Sequence, residues 1–192
     1  MAKIGIVCKT SFSHGMGHLV RQCHIAKILQ DRGAEITFFI PDYPPAESWL
    51  DRCQFPRKIL NDPLTEKETG PLDIIILDIQ DTSSAFIKKI KQGKKTVVSF
   101  EDCGEGRNHV DLLIDCNLEE KNSVDMSAQT LFGPDYSVLA PEFEALHAKK
   151  RQFNRPIDSV LITFGGTDPH SLTPLLADKL LQIQPNLSMT LL

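Results

Sequence analysis

The stretch Gly15-Met16-Gly17-His18-Leu19-Val20-Arg21 decides the fold. It follows the apolar run Ile4-Gly5-Ile6-Val7-Cys8, which reads as a strand. It opens a segment with apolar residues at Leu19, Cys23, Ala26 and Leu29, a helical stripe that Gly33 is placed to end. Glycines between a strand and a helix let the backbone approach a ligand closely, and the start of a helix offers unpaired N–H groups to an anion. His18 stands at the mouth of that anion site, and Arg21 is one turn further on. A titratable side chain beside a phosphate cradle points to chemistry on a phosphorylated or nucleotide-linked substrate.

Working outward, strand and helix signals alternate. Glu35–Ile40 reads as a strand stopped by Pro41, Ala46–Cys53 as a short helix and Arg57–Leu60 as a short strand. The continuous aliphatic runs Asp73–Leu77, Thr96–Phe100 and Asp111–Ile114 have the pattern of strands buried on both faces of a parallel sheet, with Ser83–Lys91 as a helix between the first two. This rhythm predicts an α/β, Rossmann-like, doubly wound parallel sheet over residues 1–140. Residues 141–156 are polar and basic and read as a linker, with Ala145–Arg151 helical. The rhythm then restarts over 157–192, with a strand at Ser159–Thr163, the tight loop Gly165-Gly166-Thr167-Asp168-Pro169, a helix at Ser171–Gln182 and a strand at Leu187–Leu192. A single β-α-β unit cannot bury both of its faces. The expectation is therefore a truncated second Rossmann-like domain, with either self-association through its apolar surface or disorder after about Pro156.

Hydrophobic residues make up 41% of the 192, enough for a packed core. The net charge of -4 argues against a general nucleic-acid or membrane-surface binder. No apolar run reaches bilayer-spanning length, and the first ten residues lack the profile of a signal peptide, so a cytoplasmic location is expected. The five cysteines have neither disulfide-framework nor zinc spacing, and Cys8, Cys23 and Cys116 read as small core residues. The basic run from Lys88 through Lys95 reads as a solvated helix face.

Four motifs occur in one order along nearly the whole chain. They are Gly15–Arg21 followed by Ile25-Ala26, then Ser99-Phe100-Glu101-Asp102, then Leu131-Phe132-Gly133-Pro134-Asp135-Tyr136, and finally Phe164–Pro169. Together they resemble the PseG/SpsG-type nucleotide-sugar hydrolases, relatives of the MurG-like GT-B glycosyltransferases. The resemblance implies two Rossmann-like domains facing each other across a cleft. It also implies release of UDP from a UDP-linked diacetamido-trideoxyhexose in surface-polysaccharide, spore-coat or flagellar sugar synthesis. The family's catalytic histidine corresponds to His18. The uridine is held mostly by segments that would follow Leu192. Two runs depart from the family: Asp78-Ile79-Gln80-Asp81-Thr82 replaces an Asp-His-Tyr-like run, and Glu101-Asp102 replaces an Asp-Asp pair. Both lie at strand C-terminal ends, where ligands bind in open α/β sheets, so the hexose itself stays open.

The chemistry fits these residues. A nucleoside diphosphate is a good leaving group, so the reaction needs stabilisation of negative charge more than a strong acid. The backbone N–H groups around Gly15 and Gly17, Arg21, and the amides of Gly165, Gly166 and Thr167 are the candidates for it. Water attack at the anomeric carbon needs a base, and imidazole suits that task. One base acting on a water opposite the leaving group gives inversion. His18 is the expected base, with Asp78, Glu101 or Asp102 orienting it or binding sugar hydroxyls. No metal and no cofactor are required. A glycosyltransferase using the same base on an acceptor hydroxyl is the alternative, and a lipid-facing patch near Ala46–Leu50 would favour it. A sugar- or phosphate-binding half-protein without activity is the third reading. A dinucleotide oxidoreductase is disfavoured, because Val20 stands where the third glycine of that fingerprint belongs.

Overall fold

The computed structural model describes residues 1–60, 64, 66–117, 129–150, 156–166 and 168–192. Tertiary contacts divide the chain into two units: Met1–Thr10 with His18–Ala140, and Ser11–Gly17 with Pro141–Leu192.

In the first unit the aliphatic runs become strands β1 (Lys3–Cys8), β2 (Glu35–Ile40), β3 (Arg57–Ile59), β4 (Ile74–Asp78), β5 (Thr96–Phe100), β6 (Leu112–Asp115) and β7 (Gln129–Phe132). Among the described residues they form one sheet in the order β3-β2-β1-β4-β5-β6-β7. Every pairing in it is parallel. Helices α1 (Gly17–Asp31), α2 (Pro44–Cys53), α3 (Glu66–Thr69) and α4 (Ser84–Ile90) lie between successive strands. The expected doubly wound α/β architecture is the one observed.

Local chemistry explains the main elements. In α1 the buried residues Leu19, Gln22, Cys23 and Ala26 recur at helical spacing, so one face is covered. Gly33, at φ 89°, ends the helix in a conformation that suits glycine, and the next amide, Ala34 N–H, returns to the Leu29 carbonyl at 3.0 Å. In α2, Pro44 opens the helix and Ala46 and Leu50 are fully buried. That face is core, so the lipid-facing patch considered for Ala46–Leu50 is not formed by these two residues. One core cluster joins Val7, Phe39, Ile75, Leu77, Val97 and Leu113 of five strands to Ile87 and Ile90 of α4. Full burial of one such side chain stabilises by about 2 kcal/mol, so these runs hold the unit together.

Several sequence expectations need correction. β7 was not expected: it is a short, half-exposed edge strand with apolar residues only at Leu131 and Phe132. The helix expected at Ala145–Arg151 is α5 (Glu142–His147), because Glu142 and Glu144 favour the helix start and Pro141 precedes them. The basic run is not wholly a solvated face. Lys95 is buried with its ammonium on the Gln92 carbonyl at 3.1 Å, and Lys91 pairs with Asp111 at 2.7 Å.

In the second unit, β8 (Ser159–Ile162) and β9 (Ser188–Leu191) pair in parallel, joined by α6 (Leu172–Ile183). Asp168 caps α6 by accepting from Leu172 N–H at 2.9 Å and Thr173 N–H at 2.8 Å. These amides hold the Asp168 carboxyl below its ordinary value. Leu161, Leu175, Ile183 and Leu192 are exposed. Among the described residues no helix is long and apolar enough to cross a membrane.

The loop after β5 is pinned tightly to residues 81–83. A Cβ on Gly104 would sit 2.3 Å from the Thr82 carbonyl oxygen, and one on Gly106 would sit 2.1 Å from Thr82 Oγ1. Overpacking of this kind costs about 2 kcal/mol. Gly104→Ala is therefore expected to lower the urea midpoint by a corresponding amount. Gly166→Ala, whose Cβ meets nothing within 4 Å, should leave it nearly unchanged.

Candidate functional site

The chain leaves β1 to build β2 and β3 on one side, then returns to lay β4 on the other. The carboxyl ends of β1 and β4 therefore flank a topological switch point, where open α/β sheets bind ligands. α1 starts above the end of β1, and Asp78 is the last residue of β4, in register with Cys8. The fold thus aims the first turns of α1 at the Asp78 carboxylate.

His18, Arg21 and Gln22 are spaced i, i+3 and i+4, so they share one helix face. All three reach Asp78. Its Oδ1 lies 2.7 Å from His18 Nδ1 and 2.6 Å from Arg21 Nη2. Its Oδ2 accepts from Arg21 Nε at 3.0 Å and Gln22 Nε2 at 2.9 Å. A carboxylate offers about four acceptor sites, and here each faces a donor. Asp78 is fully buried. Burial alone would raise its pKa, but the hydrogen bonds from His18 and Arg21 and the charge of Arg21 outweigh burial and hold it below its ordinary value. An ionised Asp78 can only accept, so His18 Nδ1 carries the proton. The 3.4 Å approach of Arg21 Nη2 to that nitrogen is then a contact between two donors, not a bond. With Nδ1 bound to Asp78, Nε2 is the nitrogen left to act as a base.

Glu101 forms the second half of the cluster. It follows β5 directly, with its backbone in the left-handed region at φ 49°, a strained conformation for a non-glycine residue. Its Oε1 lies 2.8 Å from Arg21 Nη1 and accepts from Cys116 Sγ at 2.8 Å. Burial opposes ionisation of Glu101, but these contacts outweigh it and lower its pKa. Arg21 is thus clamped between two carboxylates, 5.5 Å above the Phe100 ring. Burial opposes the charge on Arg21, but the hydrogen bonds and charges of Asp78 and Glu101 outweigh it and raise its pKa, so it stays cationic.

The remaining sequence candidates fall in different places. Arg21, expected to meet phosphate, turns its guanidinium onto Asp78 and Glu101. Asp102 is fully buried and braces the loop: it accepts from Thr82 N–H at 3.1 Å, Gly104 N–H at 2.9 Å, Ser99 Oγ at 3.3 Å and the Thr82 hydroxyl. Gly15 has φ 70° and closes a turn through its N–H to the Ser11 carbonyl at 2.8 Å, and Gly17 opens α1. Gly165, at φ 80°, and Gly166 form a turn after β8 in the second unit. A Cβ at any of these four glycines would meet no atom within 4 Å, so none is required by packing. Thr167 lies outside the described residues. Sequence reading missed Gln22 and the role of Cys116. The i+4 spacing from His18 could have found Gln22. Cys116, read as a core residue, is only partly buried, and the β5–β6 register brings it to Glu101.

No family model matches the chain. Over 178 residues it is 27% identical to the spore coat polysaccharide biosynthesis protein SpsG of Bacillus subtilis, covering 88% of this chain and 52% of that protein. Over 194 residues it is 27% identical to an uncharacterized protein of Methanocaldococcus jannaschii, covering 93% of this chain and 40% of that protein. The chain thus spans about half the length of these relatives. The crystal structure of Acinetobacter baumannii MurG superposes with a TM-score of 0.61 at 12% identity, over 100% of this chain and 67% of that one. The fold is Rossmann-like, of the GT-B type.

The lowered carboxyl groups fix how stability depends on pH. Asp78 and Glu101 are held below ordinary values of 3.8 and 4.5. Their contribution is complete above those values and is lost as the pH falls through the folded-state values. The urea midpoint should therefore fall as the pH drops below about 4.5. Asp78→Asn removes the buried partner of Arg21 and should cost about 3 kcal/mol at pH 7. Its own midpoint should fall less steeply with acid, which urea titrations at pH 7 and about pH 3 will read.

Proposed function

We propose that this chain belongs to an enzyme of the GT-B type that acts on sugar nucleotides in polysaccharide biosynthesis, with His18 as its general base. The observation that carries this reading is the Asp78–His18 pair at the switch point, 2.7 Å apart, with Nε2 left as the acceptor. The likeness to a polysaccharide biosynthesis protein and to the MurG fold supports the substrate class.

In this proposal the His18 Nε2 lone pair removes a proton from a nucleophile as the nucleophile attacks the anomeric carbon. The imidazolium that forms is held by Asp78, which stays ionised because Arg21 and Gln22 keep donating to it. The leaving diphosphate is met by backbone amides of the first turn of α1, where the helix dipole favours negative charge. Within the second unit the Gly165–Gly166 turn offers amides to an anion in the same way. With water as the nucleophile the reaction releases free UDP and sugar, with inversion. With an acceptor hydroxyl it is a glycosyl transfer. The Asp78–His18 pair serves either nucleophile, so the transferase reading stands beside the hydrolase reading.

UDP release from UDP-linked acetamidohexoses, followed with and without acceptor alcohols, separates the two. Acceptor-independent release is expected, and His18→Ala should reduce it by about 10²–10⁴-fold. Turnover only with an acceptor, equally lost in His18→Ala, would establish transfer. Full activity in His18→Ala would remove the base from His18.

A further inference from the structure

Three carboxylates were candidates for contact with the sugar, and the structure separates them. Asp78 has its acceptor sites filled by His18, Arg21 and Gln22. Asp102 is sealed in the loop brace with Thr82, Ser99 and Gly104. Glu101 differs from both. Its Oε1 is occupied by Arg21 and Cys116, but among the described residues its Oε2 receives no hydrogen bond. Its side chain retains 17% exposure, the same as His18 and Arg21. Arg21 is a shared neighbour of Glu101, Asp78 and His18, so Glu101 belongs to the same cluster as the proposed base.

The charges of the cluster restrict what can approach. Arg21 is shared between two carboxylates, Asp78 and Glu101. A phosphate near Oε2 would be repelled, whereas an O–H or N–H donor would be attracted. Arg21 and Cys116 hold one oxygen of Glu101, so a donor at the other meets a carboxylate already held in place.

We infer that Glu101 is a specificity-determining residue whose Oε2 accepts a hydrogen bond from a hydroxyl or amide N–H substituent of the sugar ring held against His18. This rests on the sugar-nucleotide reading above. It assigns the sugar half of the substrate to the end of β5 and keeps the diphosphate away from Arg21.

The test uses two readouts on the full chain. The first is turnover of UDP-N-acetylglucosamine and of UDP-glucose, which offer an amide N–H and a hydroxyl at the same ring position. The second is binding of free N-acetylglucosamine and glucose, followed by NMR shifts of the Ser99–Cys103 amides, which needs no turnover. Glu101→Gln keeps an acceptor for Arg21 but no longer offers a carboxylate to the substrate. It should weaken binding of the preferred sugar about tenfold, and raise KM about tenfold with kcat within about threefold. Glu101→Asp, which keeps the charge, should be milder, and circular dichroism checks that both variants fold. The arm that responds, acetamido or hydroxyl, identifies the donor. Sugar binding that is absent in the wild type, or unchanged in Glu101→Gln, overturns the inference, as does a loss confined to kcat, which would mean action through Arg21 and His18. Sugar binding that depends on Glu101 without any turnover would instead overturn the enzymatic reading and leave this inference standing.

Discussion

The buried carboxylate of Asp78 is the constraint on which the rest of the site depends. An ionised group with no solvent exposure is tolerated only if its acceptor sites are filled, and an unpaired buried charge costs several kcal/mol. Three side chains from one face of α1 fill them. That requirement fixes the rotation and the axial position of α1 over the end of β4. It also fixes the proton on His18 Nδ1. The helix, the tautomer and the direction of the free imidazole nitrogen all follow from one carboxylate.

A second consequence is electrostatic. Arg21 is the cation nearest the start of α1 in sequence, and a reader of the sequence gives it to a phosphate. In the fold it lies against Asp78, Glu101 and the face of Phe100, a partly buried counter-ion to both carboxylates. On the proposed reading an anion is met by backbone: amides of the first turn of α1 and, in the second unit, those of the Gly165–Gly166 turn. The glycines of both segments face no packed neighbour, consistent with a role in close approach instead of packing.

Much of the fold was legible because parallel sheets buried on both faces leave continuous aliphatic runs. Ile74–Leu77 and Thr96–Phe100 could be read as strands without knowing their neighbours, and the glycines before His18 marked the crossover to α1. β7 was not legible, since an edge strand with Leu131 and Phe132 as its only apolar residues carries too little pattern. Lys95 was misplaced because a lysine in a basic run looks solvated, and only packing shows its ammonium on the Gln92 carbonyl. His18 was legible from its place after the glycines. The separate duties of Asp78, Glu101 and Asp102 were not, since three acidic residues at strand ends look alike in one dimension.

By itself the sequence determined the alternation of strands and helices, the position of the switch-point loop and the identity of the imidazole, because periodicity and turn chemistry are local properties. Tertiary structure decided which carboxylate meets that imidazole, which one braces a loop and which keeps an oxygen open. Those outcomes depend on strand order and register, which bring residues 18, 78, 101 and 116 together across nearly a hundred positions of chain. Hydrogen-bond satisfaction within a buried cluster is a property of that assembled geometry, and no local pattern encodes it.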